Sequence, residues 1–304
     1  MPLYDAIYAG CISAEADVWL SDEELYVGHS TYALTPNRTL KSLYINPLLD
    51  ILVKQNPITR FHPKLDTPPN GVFDTDPSQT LILLIDFKTD GDALVPYVQS
   101  QLEPLRRNGY LTHFNGTDVT QGPVTVVASG NAPFGLLTSN TTYRDVFFDA
   151  PLDRMADAAV TTSASAIVET GPDIKFDPDP ELTEPTAFSH NKNRGQGHPS
   201  SVPLSHYSYS HENSYYASAS FTSSIGHVWR SHFSPKQLAK IRAQISGAHE
   251  RGLKVRYWDL PGWPRGLRNY IWHVLIREGV DVLNVDDLVG ATRRDWRKGK
   301  GWWW

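Results

Sequence analysis

The chain has 304 residues and a mass of 34.1 kDa, with 40% apolar and 20% charged residues, the balance of a folded globular protein and not of a disordered or collagen-like one. A formal net charge of −5 offers no broad basic surface, which disfavours nucleic acid as the main partner. A single cysteine, Cys11, excludes an intramolecular disulfide framework and any CxxC zinc site, and the longest strongly apolar run, Leu81 to Ile85, falls far short of the ~20 residues that span a bilayer.

Short apolar runs alternate with helical patterns along the chain. Pro2 to Gly10 reads as a short helix that leads straight into a strand over Ile12 to Leu20, and Glu24 to Gly28 reads as a short strand. Further strands are expected over Leu81 to Lys88, Val124 to Ser129, Val146 to Asp149, Tyr216 to Phe221, Lys254 to Trp258 and Val280 to Val285. Helices are expected over Asp92 to Arg107, Pro235 to Gly252 and Leu267 to Gly279, with Gly109, Gly252 and Gly279 as stop signals and Ser234 before Pro235 as an N-cap. This alternation predicts a parallel sheet with helices outside it.

Apart from Glu24 to Gly28, the strands are one short of the eight that a closed (β/α) barrel needs. Because the chain opens on a helix, the pattern reads as a TIM-type barrel lacking its first strand, a single domain over 1–304 that leaves two unpaired sheet edges. Residues 171–214, rich in Pro, Ser, His, Asn and Asp, are expected to form a low-complexity insertion. Its histidines His190, His198, His206 and His211 follow no ligand spacing, so a solvated loop is the plainer reading. The tail, 293–304, sets five basic residues beside four tryptophans. A frayed end is the plainer reading, and peripheral contact with an anionic membrane surface is the alternative.

The segment from Glu15 to Ser30 carries the chemistry. On a strand, residues i and i+2 share a face, so Glu15 and Asp17 project two carboxylates together, while Ala14, Ala16 and Val18 form the buried face. Two such carboxylates repel unless a cation sits between them, and Mg²⁺ or Ca²⁺ suits oxygen ligands. A polar edge strand would show the same alternation. The continuous apolar run Leu81 to Ile85 fits a parallel strand buried on both faces, and it ends in Asp86-Phe87-Lys88. A carboxylate and an ammonium at the C-terminal end of a barrel strand stand where such folds place catalytic groups, although a structural Asp–Lys pair is the simpler alternative.

The stretches PLYDAIYAGCISAEADVWLSDEELYVGHS, which opens at Pro2, LTPNRTLKSLYINPLL, LILLIDFKTD and KVRYWDLPGWPRGLRNYIWHVLIREGVDVLNVDDL resemble the phosphatidylinositol-phospholipase-C-like phosphodiesterases, and in particular a fungal branch of them; that superfamily includes the glycerophosphodiester phosphodiesterases and the sphingomyelinase D group. The resemblance covers most of the chain outside 171–214. It implies a TIM-type barrel with Glu15, Asp17 and Asp86 as metal ligands and His29 as general acid or base. Lys88 would hold the phosphate, and Trp258 and Asn284 would line the pocket. Asp259 and Asp286 are weaker candidates.

The implied activity is metal-dependent hydrolysis of a phosphodiester, either a glycerophosphodiester or a lysophospholipid or sphingolipid head group, by a monomer. The family's first catalytic histidine precedes the stretch matched by Pro2, so the chain is expected to be N-terminally truncated, or else an inactive relative that binds metal or phosphate. A third reading, glycan hydrolysis by Glu15 and Asp17 as an acid–base pair about 7 Å apart, does not account for Asp86 and Lys88. Asn37, Asn115 and Asn140 open glycosylation tripeptides that would matter only on the secretory route, so location stays open.

Overall fold

In a computed structural model the described residues are 2–61, 63, 64, 68–156, 208–229, 232–292 and 296. A short helix, Pro2–Tyr8, precedes β1 (Ser13–Ser21) and β2 (Glu24–Val27). The sheet continues with β3 (Leu81–Phe87), and a separate two-stranded ribbon is formed by β4 (His113–Phe114) and β5 (Val119–Thr120). Then follow β6 (Val124–Gly130), β7 (Val146–Pro151), β8 (Ser214–Ser220), β9 (Lys254–Trp258) and β10 (Val282–Leu283). The main sheet has eight strands in the order β10-β9-β8-β7-β6-β3-β1-β2. All neighbours in it are parallel except β2, which runs antiparallel to β1.

One contact fixes the shape of this sheet. Four strands separate β9 from β1, roughly 24 Å in a flat sheet at ~4.8 Å per strand. Yet Nη2 of Arg256 on β9 lies 2.8 Å from Oε2 of Glu15 on β1. The sheet is therefore curled into part of a barrel. Its two edges are β10 and β2, and among the described residues no ladder joins β10 to β1. A closed TIM barrel, the expectation from the sequence, is thus matched only as far as a curled, mostly parallel sheet, whose eighth strand is the antiparallel β2.

The strand parity follows from the sequence. Ala14, Ala16 and Val18 of β1, Leu81, Leu83, Ile85 and Phe87 of β3, and Val255 and Tyr257 of β9 belong to the large core on the outer face of the sheet. The concave face carries the opposite parity. Its floor is a small apolar cluster of Ile82, Leu84, Val127, Tyr216 and Val282. Above this floor, toward the carboxyl ends of the strands, the inward residues turn polar.

The expected helix over Pro235 to Gly252 is Pro235–His249. It is started by Ser234, whose Oγ accepts from the backbone N–H of Gln237 while the Gln237 side chain accepts from the Ser234 N–H. The Arg265–Glu278 helix stops at Gly279, which takes a left-handed φ of +103°. The helix expected over Asp92 to Arg107 is instead two, Gly91–Gln101 and Glu103–Arg107. The break at Leu102 falls two residues ahead of Pro104, which has no N–H to continue the ladder. The sequence reading missed the Asn46–Gln55 helix, which is preceded by a π-helical turn at Lys41–Ile45.

Of the insertion expected over 171–214 only 208–214 are described; there Tyr209 is buried and Ser214 already opens β8. His190, His198 and His206 lie outside the described residues. From the tail, Trp296 alone is described, and it packs edge-on against Trp272 at 5.5 Å. No described helix is long and apolar enough to cross a membrane.

Candidate active site

Strand register assembles the acidic group. In the β1–β3 ladder Asp17 stands opposite Asp86, and in the β3–β6 ladder Asp86 stands opposite Ser129. Glu15 lies one rung pair below on the same face of β1. Each of Glu15, Asp17 and Asp86 offers a carboxylate oxygen, and these atoms all lie within 4.8 Å of one another. Lys88, just past the end of β3, points its ammonium into the group. Its Nζ is 2.8 Å from Oδ1 of Asp17 and ion-paired with Oδ2 of Asp86.

Burial dominates the electrostatics of Asp86. Desolvation raises its pKa well above the usual carboxylate range, Glu15 and Asp17 push the same way, and Lys88 opposes them. Desolvation acts to lower the pKa of Lys88, but the charges of Asp86 and Asp17 outweigh it and raise the net value, so the ammonium keeps its proton. Oδ1 of Asp86 is buried and has no hydrogen-bond partner. A Cβ on Gly130 would fill the space beside that oxygen.

A second charged layer lies behind the first. Arg256, with 3% of its side chain exposed, donates from Nη2 to Oε2 of Glu15 and to Oδ1 of Asn284, each at 2.8 Å. Its Nη1 is 3.8 Å from Oδ2 of Asp149. Asp149 is fully buried on β7 and accepts from Ser129 Oγ at 3.0 Å. Desolvation raises its pKa to about 6 against the opposing pull of Arg256. The sequence reading passed over Arg256 and Asp149. The available signal was a charged residue inside otherwise apolar strand runs, Val255-Arg256-Tyr257 and Phe147-Phe148-Asp149.

The remaining candidates are placed as follows. The Gly28 N–H donates to the Asp17 carbonyl at 3.1 Å, and Nε1 of Trp19 donates to the Gly28 carbonyl at 2.7 Å. These bonds pin the turn that carries His29. The imidazole is 85% exposed, and its Nδ1 lies 3.7 Å from Oδ2 of Asp17. Trp258 ends β9, with a buried Nε1 that has no hydrogen-bond partner. Asn284 is tied to Arg256 as above. Asp259 accepts from Ser220 Oγ at 2.8 Å, and Asp286 is exposed. Glu15, Asp17, Asp86, Lys88 and His29 are therefore brought together, Asn284 joins them through Arg256, and Asp259 sits apart on a serine.

The donor set suits a hard divalent cation, since all three converging groups are carboxylates and one of them keeps a buried oxygen without a partner. The charge count agrees. Glu15, Asp17, Asp86 and Asp149 set four carboxylates against two cationic side chains, Lys88 and Arg256, a surplus of two negative charges when all are ionised.

The chain matches the AIM6-like phosphodiesterase domain family over residues 1–149, a span that holds Glu15, Asp17, His29, Asp86 and Lys88. It is 38% identical over 291 residues to the altered inheritance of mitochondria protein 6 homolog of Arthroderma benhamiae, covering 94% of this chain and 75% of that protein. It is 30% identical over 310 residues to the altered inheritance of mitochondria protein 6 of Eremothecium gossypii, covering 96% of this chain and 66% of that protein. With the protein of the same name in Lachancea thermotolerans it shares 31% over 314 residues, and spans 62% of its length. No solved structure matches. The fungal branch of phosphodiesterase-like proteins that the sequence resembles is the one these matches reach, and the chain belongs to the AIM6-like phosphodiesterase family.

Proposed function

We propose that the chain is a divalent-cation-dependent phosphoric diester hydrolase, built on an incomplete form of the TIM-type phosphodiesterase barrel. Its substrate class is a glycerophosphodiester or the head group of a lysophospholipid or sphingolipid. The observation that carries this reading is the convergence of Glu15, Asp17 and Asp86 within 4.8 Å, with the Lys88 ammonium among them.

A phosphodiester is an anion, and its cleavage places further charge on the non-bridging and leaving oxygens. A Mg²⁺ or Ca²⁺ ion held by the three carboxylates would neutralise that charge. Lys88 supplies a second, fixed positive charge for a phosphate oxygen. His29, reachable from solvent and beside Asp17, is placed to act as general acid or base. Trp258 and Asn284 stand at the ends of β9 and β10, where they can line the wall against the leaving group.

One observation favours a second reading, binding of cation or phosphate without turnover. The resemblance implies two catalytic histidines, and among the described residues His29 is the one imidazole paired with the acidic group. Incubation of the purified protein with glycerophosphocholine, lysophosphatidylcholine and sphingomyelin, followed by ³¹P NMR with Mg²⁺, Ca²⁺ or EDTA, tests both readings. Cation-dependent product that disappears in Glu15→Ala supports hydrolysis, and the phosphorus shift separates a cyclic from an open-chain phosphate. In calorimetric titration, binding of cation or inorganic phosphate without product supports the second reading; no cation binding overturns the first, and binding of neither overturns both.

A further inference from the structure

We propose that Arg256 is the positioning residue of the acidic group: it holds the Glu15 carboxylate in place from across the sheet, with Asp149 set behind it as a counter-charge. The inference rests on the reading of Glu15, Asp17 and Asp86 as a cation site.

Glu15 needs such a partner. Its side chain is 35% exposed and has several rotatable bonds, so an unrestrained carboxylate would spend much of its time turned toward water. Asp17 and Asp86 are fixed by Lys88, but Lys88 makes no ion pair with Glu15 among the described residues. Arg256 supplies the restraint. One nitrogen of its guanidinium reaches both Glu15 Oε2 and Asn284 Oδ1 at 2.8 Å, and the planar fork cannot follow Glu15 into other rotamers. A carboxylate offers about four acceptor sites, so Glu15 keeps lone pairs for a cation after one is taken by Arg256.

The guanidinium is itself held in place. Asn284, just past β10, accepts from Nη2 at 2.8 Å, and Asp149 on β7 sets its charge 3.8 Å from Nη1 without a hydrogen bond, so segments distant in sequence set the aim of a residue near the start of the chain. Bracing the two sides of the curled sheet would not need this arrangement, because an apolar pair would brace them without desolvating a guanidinium and a carboxylate. The geometry puts the charge where it orients Glu15.

Calorimetric titration with Mn²⁺ and Mg²⁺, without substrate, tests the inference on the full chain, with folding of each variant checked by circular dichroism and thermal denaturation. Arg256→Met is expected to bind the cation 10–100-fold more weakly than wild type, the usual cost of losing a partner behind a ligand, and Arg256→Lys to recover part of that loss. In a Glu15→Gln background, titrated into the millimolar range, Arg256→Met is expected to cost little more. A folded Arg256→Met with unchanged affinity overturns the inference, as does an equal loss in both backgrounds. Should Arg256→Met fail to fold, Arg256→Lys carries the test, and unchanged affinity there overturns it. Wild-type protein that binds no divalent cation overturns the cation-site reading and the inference together, whereas a wild type that binds as tightly as Arg256→Met overturns the inference alone.

Discussion

Gly130 and Asp86 are fitted to each other: a Cβ added to Gly130, at the end of β6, would overlap Oδ1 of Asp86 and crowd the backbone of Phe87. Gly130 also takes a left-handed φ of +67°, which side chains disfavour. Gly130→Ala is therefore expected to lower stability by about 1–3 kcal/mol and to weaken divalent-cation binding by turning Asp86 away. Urea denaturation and cation titration on the same variant check both effects. An alanine variant with unaltered cation affinity would separate Asp86 from the site.

Lys88 stands between Asp17 and Asp86, so its removal leaves two close carboxylates without compensation. Lys88→Met is expected to lose about 3 kcal/mol in EDTA. The cation then has the charge of the group to itself, and Mg²⁺ at about 100 times its Kd should return about 2.7 kcal/mol. The check is the difference in Tm with and without Mg²⁺, which should be larger for the variant than for wild type, while turnover falls through loss of the phosphate contact.

Asp149 predicts a pH dependence of stability. Its folded-state pKa is raised to about 6 by desolvation, so between the ordinary carboxylate range near 4 and pH 6 the folded protein binds more protons than the unfolded one. Stability from this group is fully present below the unfolded pKa and is lost as pH rises through 6, a cost on the order of 3 kcal/mol at neutral pH. Asp149→Asn, which cannot titrate, should flatten this fall. Thermal denaturation of both proteins between pH 4 and 8 measures it, and parallel profiles would contradict the assignment.

His29 is exposed and pairs only loosely with Asp17, so His29→Ala should change stability by no more than about 0.5 kcal/mol. If His29 exchanges a proton with the phosphodiester, turnover should fall about 10²–10⁴-fold. Kinetics at saturating cation, beside an unchanged melting curve, show whether the imidazole does chemistry.

Much of the site was legible in the sequence because its information is local. Glu15 and Asp17 share a face by strand parity, and Asp86 and Lys88 stand at the end of an apolar run that fits a buried parallel strand. The helix starting at Ser234 and the stop at Gly279 are likewise written in neighbouring residues. Where local signals conflict, the reading slipped: the apolar content of Asp92 to Arg107 suggested one helix, and Pro104 divides it.

What the sequence determined by itself is therefore which side chains each strand carries, and on which face. Only the tertiary structure decided which of them meet. The register that sets Asp17 opposite Asp86 depends on β1 pairing with β3 and not merely on either strand. The contact from Arg256 to Glu15, 241 residues apart in the chain, exists because a twisted parallel sheet curls until its first and ninth strands face each other. Charge placed inside the apolar runs Phe147-Phe148-Asp149 and Val255-Arg256-Tyr257 is costly alone; Asp149 finds Ser129 on the neighbouring strand, whereas Arg256 reaches Glu15 only because the sheet curls.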